Sequence, residues 1–172
     1  MADNGTRYLG RSLTAGQYGR HGGELVLSER PLGQLIQITA WGGDTVSFAG
    51  VVGQLGLSGL PAFGGTVEAG GVEVFRLAPG RLWLRADDGD AALARVGLST
   101  GPEWAALDLS HSRAVISASG AEVEELMARL VTVDCSLAAL PPGRFSQTAL
   151  HEVSVVVFRR SAEDFEIWVP VT

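Results

Sequence analysis

The order strand, helix, hairpin is written twice along this chain of 172 residues, and that recurrence narrows the architectures open to it more than any other feature. In the first half, Leu25-Val-Leu27 and Gln34-Leu-Ile-Gln-Ile-Thr39 are short aliphatic runs separated by turn residues from Ser28 to Gly33, the pattern of two strands. Phe48, Val51, Val52 and Leu55 then fall at i, i+3, i+4 and i+7, the spacing of one helical face, with Asp44 placed to cap it. Glycines 50 and 53 weaken that helix by about 1 kcal/mol each relative to alanine, so it must rest on packing. Val72–Leu77 and Arg81–Arg85, joined by Ala78-Pro-Gly80, predict a hairpin.

The second half follows the same order. Ala114–Ser119 reads as a strand, and Ser119-Gly-Ala-Glu122 as a capping box in which serine and glutamate satisfy each other's free amides. Val123, Leu126, Met127, Leu130 and Val131 form the apolar face of the helix that follows. Phe145–His151, Val153–Arg159 and Phe165–Val169 predict three strands. Leu27-Ser28 with Leu109-Ser110, Phe48 with Val123, and Trp83 with Trp168 stand as matching landmarks whose spacing drifts, as loop insertions would make it drift in a decayed duplication. The expected fold class is α+β: two pseudo-repeated strand-helix-hairpin modules, 24–100 and 101–172, packed as one compact unit. Residues 1–23, glycine-rich and without apolar periodicity, are expected to be a flexible leader.

Composition removes several function classes. A net charge of −6 leaves no broad basic surface for a phosphate backbone, so a nucleic-acid partner is not expected. All 13 basic residues are arginine, which excludes lysine Schiff-base chemistry and a P-loop lysine. The single cysteine, Cys135, forms no internal disulfide, and the first residues lack a signal-peptide pattern, so a cytoplasmic location is expected. No apolar run is long enough to span a bilayer, and no membrane role is expected.

Asp108-Leu-Ser-His111 carries the residue types of a nucleophilic hydrolase, but such groups usually converge from distant parts of a chain. Leu27-Ser-Glu-Arg30, taken as the first copy of the same turn, has no histidine or aspartate, so a structural turn is expected at both places. Gly56-Leu-Ser-Gly59 lacks the last glycine of G-x-S-x-G and reads as a helix end. His21, His111, His151 and Cys135 share no ligand spacing, so no metal site is expected. Asp134 beside Cys135 should raise the thiol pKa, leaving a small, partly buried residue. Trp41, Trp83, Trp104 and Trp168 are expected in the core.

Leu27-Ser-Glu-Arg-Pro-Leu-Gly-Gln-Leu35 and Gly80-Arg-Leu-Trp-Leu84 resemble the gamma subunit of heterotetrameric sarcosine oxidase. Asp108-Leu-Ser-His-Ser-Arg-Ala-Val-Ile116, the helix after Ser119-Gly120, and Pro142-Gly-Arg-Phe-Ser-Gln-Thr148 follow the same family's pattern in the same order, so the resemblance covers about residues 19 to 169. The chain departs from that pattern at Trp83-Leu-Arg-Ala-Asp-Asp-Gly89, at Gly64-Gly-Thr66, and after Val169-Pro-Val-Thr172, where the family continues into an amphipathic helix.

That family is related to the folate-binding aminomethyltransferase fold of the glycine-cleavage T-protein. The resemblance implies a non-catalytic subunit, with no catalytic, cofactor-binding or metal-binding residues of its own, in a complex that oxidatively demethylates an N-methyl amino acid such as sarcosine. It implies FAD, FMN, NAD and folate in other subunits, and large flavin-bearing and folate-binding partners completed by a small zinc-bearing one. Arg30, Arg113 and Arg144 stand near turns in the segments that carry the resemblance, and arginine is favoured at protein interfaces, so they are the candidate partner contacts. The alternative is a free-standing folate-binding one-carbon (aminomethyl) transferase.

Overall fold

A computed structural model describes residues 16–18, 25–41, 48–87 and 104–171. Its strands are β1 (Gly16–Tyr18), β2 (Leu25–Arg30), β3 (Gln34–Ala40), β4 (Thr66–Ala69), β5 (Val72–Ala78), β6 (Arg81–Ala86), β7 (Trp104–Asp108), β8 (Arg113–Ser119), β9 (Arg144–Leu150), β10 (Val153–Ser161) and β11 (Asp164–Pro170). Helices α1 (Ala49–Gln54) and α2 (Val123–Leu130) are short. Among the described residues the protein is therefore mostly β, with less helix than an even α+β mixture.

One sheet runs β1-β2-β8-β11-β10-β9 and the other β4-β5-β6-β3-β7. Taken from its β7 edge, the second sheet reads β7-β3-β6-β5-β4, the same order as β2-β8-β11-β10-β9 in the first. Each half of the chain thus lends its first strand to the sheet built by the other half: β2 pairs with β8, and β7 with β3, both antiparallel. This exchange makes neither sheet complete without residues from both halves.

Period-two alternation turns these strands into layers. In β10, Val155 and Val157 face the helix side with Met127 and Val123 of α2, whereas Val156 and Phe158 face the other sheet. In β5, Val72 and Val74 lie with Phe48 and Val51 beneath α1, whereas Phe75 and Leu77 face inward. The order is helix, sheet, sheet, helix, with three apolar clusters between four layers.

Several local expectations are corrected. The Ser119–Glu122 capping box does not form: Ser119 ends β8, Glu122 is the N-cap, and neither supplies a side-chain cap bond. Strand pairing to Asp164 and Val26 holds Ser119 in extended backbone, which takes it away from the helix. Within the expected leader, Gly16–Tyr18 is a strand paired with Leu25–Leu27. Asp44, the expected cap of α1, lies outside the described residues. Strands β4 and β7 had no counterpart in the sequence reading, because β4 is only four residues and β7 is largely exposed at a sheet edge.

Two landmarks also shift. Leu27 lies inside β2 opposite Ala118, whereas Leu109 and Ser110 lie in the loop between β7 and β8, so the two Leu-Ser pairs do not share a place. Hairpin register decides the tryptophans. Arg76 pairs with Leu82 before the first ladder slips, and Arg159 pairs with Phe165 before the second does. Trp83-Leu-Arg85 therefore corresponds to Glu166-Ile-Trp168, with the tryptophans at opposite ends of the two tripeptides.

Candidate functional site

The segment that looks most like catalytic machinery is a turn clamp. Asp108 ends β7, and its Oδ1 accepts hydrogen bonds from the Ser110 amide at 2.9 Å and the Ser110 hydroxyl at 2.6 Å. The same hydroxyl oxygen accepts from the Leu35 amide at 3.0 Å, which ties the loop to β3. These bonds from Ser110 hold the Asp108 carboxyl below its ordinary range, with a smaller contribution from the charge of His111. A hydroxyl that donates to the carboxylate itself is not poised for an imidazole base, and both Asp108 and His111 are exposed.

The chemically densest region is the layer between the sheets. Phe75 packs against Phe145, Phe158 and Trp168 with ring centroids 4.9 to 5.4 Å apart, and Trp83 stacks on Trp168 at 5.9 Å and 6°. Beside these rings lies Glu166, 1% exposed. It accepts from Arg160 Nε at 2.9 Å, Arg160 Nη2 at 3.1 Å, Arg85 Nη1 at 3.2 Å and Trp168 Nε1 at 2.9 Å. Burial alone would raise its pKa, but these bonds and the arginine charges outweigh burial and hold the carboxyl below its ordinary value. Arg160 also reaches Glu73 at 2.7 Å. At Glu73 burial wins over Arg160 and Arg85, and with the added repulsion of Glu166 the carboxyl is raised.

Sequence reasoning missed this network. Its signal was present as charges at inward parity: Glu73 shares a face with Phe75 in β5, Arg85 with Trp83 in β6, and Glu166 with Trp168 in β11. A second buried cation, Arg159, faces the opposite way beneath α2, where its Nη2 donates to Glu124 and to the Cys135 carbonyl, both at 2.7 Å. Cys135 is 2% exposed; burial raises its thiol pKa, Arg159 opposes that and Asp134 adds to it. Among the described residues, no cluster of histidine, cysteine and carboxylates is arranged to hold a metal. Likewise, no helix among them is long and apolar enough to cross a membrane.

The three candidate arginines lie apart. Arg30 bonds Asp164 at 3.1 Å and sits 3.6 Å from Glu166, at the rim of the inter-sheet network. Arg113 lies over the Trp83 ring at 4.6 Å. Arg144 opens β9 beside two glycines, where a Cβ on Gly65 would stand 3.0 Å from its Nη1. Of the tryptophans, Trp83, Trp104 and Trp168 are buried, but Trp41 is 64% exposed because it lies past the end of β3.

Arg144 belongs to a reciprocal pair of turns that the sequence reading also missed. The Gly64 amide donates to the Arg76 carbonyl, and the Gly143 amide to that of Arg159. In return, Phe145 N donates to Gly64 O at 2.8 Å and Thr66 N to Gly143 O at 3.0 Å. Both glycines have positive φ, +67° and +78°. The sequence signal was a proline-led turn ending in glycine immediately before each third strand. A shallow groove of about 450 Å³ follows these turns, lined by residues 58–62, 65–67 and 142–144.

No protein-family model matches the sequence, and no curated protein does. Among the solved structures that resemble the fold, two bear on function. A chain of the heterotetrameric sarcosine oxidase from Corynebacterium sp. U-96, in complex with pyrrole 2-carboxylate, superposes with a TM-score of 0.77 at 23% identity, over 91% of this chain and 80% of that one. The glycine cleavage system aminomethyltransferase T from Bartonella henselae superposes with a TM-score of 0.57 at 18% identity, over 84% of this chain but 42% of that one. The chain thus has the fold of a chain of heterotetrameric sarcosine oxidase, a fold that also makes up part of aminomethyltransferase T.

Proposed function

We propose that this chain is a non-catalytic, gamma-type subunit of a multi-subunit flavoenzyme of the sarcosine oxidase kind, which oxidatively demethylates an N-methylated amino acid. The observation that carries the reading is the near full-length likeness to a chain of a heterotetrameric oxidase, over 91% of one chain and 80% of the other. Packing supports it: the layer between the sheets is filled by Phe75, Phe145, Phe158, Trp83 and Trp168 with the Glu166 network, which favours a scaffold over a ligand-binding centre. FAD, FMN, NAD and folate would then belong to other chains, in a cytoplasmic complex, and this chain would contribute surface. Arg30, Arg113 and Arg144 remain its candidate contacts. The matching strand orders of the two sheets support an origin by duplication, with modules near 24–100 and 101–172 that exchanged their first strands.

A free-standing folate-binding aminomethyltransferase is the second reading. It rests on the likeness to aminomethyltransferase T, of which this chain spans 42%. Affinity purification of the tagged chain from its native host separates the two. Recovery with a large yellow flavoprotein that oxidises an N-methyl amino acid supports the first reading. A monomer that binds tetrahydrofolate tightly without flavoprotein overturns it.

A further inference from the structure

The groove along the paired glycine turns contains one charge. Of its lining residues, which include Ser58, Pro61, Ala62, Thr66 and Pro142, only Arg144 is ionised. Arg144 is half-buried, yet among the described residues its guanidinium has neither a carboxylate nor a carbonyl partner, whereas Arg30, Arg85, Arg159 and Arg160 are all paired. A partly desolvated guanidinium gains most from a carboxylate that can meet its fork of donors, and walls built from proline and alanine strengthen such a pair by excluding water. In a chain of net charge −6, Arg144 in the groove, with Arg76 bonded to the Pro61 carbonyl beside it, sets a local preference for an acidic group.

The groove also has an aromatic neighbour. Phe63 is 47% exposed at its margin, and the Arg76 guanidinium lies 3.9 Å from the Phe63 ring centroid, which holds the ring in place. A fixed exposed aromatic next to half-buried arginines is the composition of an interface centre rather than of a solvated surface. Arg144 is itself positioned by glycine: a methyl at Gly65 would press on Nη1 at 3.0 Å, so residue 65 sets where the charge stands.

We infer that this groove, lined by Arg144 and with Phe63 at its margin, receives a carboxylate side chain carried by the large partner subunit. The inference rests on the subunit reading and names the surface that reading leaves open. It is tested with the full chain and the flavoprotein purified with it, by measuring the dissociation constant at several NaCl concentrations. Arg144→Gln is expected to weaken binding at least tenfold and to flatten the salt dependence. Gly65→Ala, which keeps the charge but displaces it, is expected to weaken binding by a smaller factor and carries the test if the first variant proves unstable. Arg81→Gln, which removes an exposed arginine elsewhere, is expected to leave binding unchanged. A dissociation constant that neither variant alters overturns the groove while leaving the subunit reading intact. A wild-type chain that captures no flavoprotein overturns both.

Discussion

Arg85 and Glu166 meet across the two sheets, Nη1 to Oε2 at 3.2 Å, on strands that occupy equivalent places in the two halves of the chain. Their side chains are 12% and 1% exposed, so Glu166 depends on Arg85 and Arg160 for compensation, and Arg85 on Glu166 and Glu73. Glu166→Gln keeps the shape but removes the charge and points amide hydrogens at guanidinium donors. Breaking a buried network from one side in this way should cost about 3 kcal/mol. Urea unfolding monitored by tryptophan fluorescence checks this, and a loss below about 1 kcal/mol would show that the network is not holding the sheets together.

Glu166 and the partly buried Glu73 should respond to acid in opposite directions. The Glu166 carboxyl is lowered in the folded state from an ordinary value of 4.5, so its stabilisation is present above pH 4.5 and is lost as pH falls through the folded value. Glu73 is raised from the same ordinary value, so its ionised form is disfavoured by folding and protonation relieves that cost. The stability gap between wild type and Glu166→Gln should therefore close on acidification below pH 4.5. Wild type should instead gain on Glu73→Gln as pH falls through the folded Glu73 value. Parallel pH profiles for the two variants would contradict this assignment.

Trp83 and Trp168 join the same two strands by stacking, 6° from parallel. Trp168 is fully buried and Trp83 nearly so, so each alanine variant should lose about 3–5 kcal/mol. The double mutant should lose less than the sum by about 0.5–1.5 kcal/mol, the coupling expected of a direct ring pair. Strict additivity in a denaturation cycle would mean that the rings act only through the volume they fill.

What the sequence made legible, and what it did not, follows from where each signal resides. The long strands β5, β6, β10 and β11 were readable because their alternation is local and each has a buried face. The exchange of β2 and β7 was not, because a short strand carries no mark of which sheet it joins. Trp83 and Trp168 looked like copies of each other through residue type alone, whereas hydrogen-bond register equates Trp83 with Glu166. The failed capping box has a similar cause: pairing of Ser119 with Asp164 and Val26 is decided by distant strands and overrides a four-residue motif. Arg144 is visible in the sequence as a turn-proximal arginine, but that no carboxylate among the described residues meets it depends on the surrounding side chains.

The paired glycine turns give a comparison between near-identical substitutions. Gly64 and Gly143 both have positive φ, so alanine at either should cost about 1–2 kcal/mol from backbone conformation. At Gly64 the new Cβ would also stand 3.0 Å from the Phe145 carbonyl oxygen, whereas at Gly143 the nearest atom, Thr66 Oγ1, is 3.8 Å away. Gly64→Ala should therefore be the more damaging variant, with the larger fall in thermal midpoint. The reverse order would show that the reciprocal Gly64–Phe145 bond yields easily.

Asp108, Ser110 and His111 provide the sharpest separation of structure from chemistry. Asp108→Ala removes an acceptor for two hydrogen bonds and loosens the Ser110 clamp on Leu35, which should cost about 1 kcal/mol because the site is exposed. His111→Ala removes an exposed ring that these bonds do not use, and should leave stability unchanged. If the loop is only a clamp, the oxidase complex proposed for this chain should keep its full turnover number with either variant, Asp108→Ala affecting at most how much complex forms. Loss of turnover in an intact complex carrying His111→Ala would overturn the structural account of this loop and restore the imidazole to the chemistry.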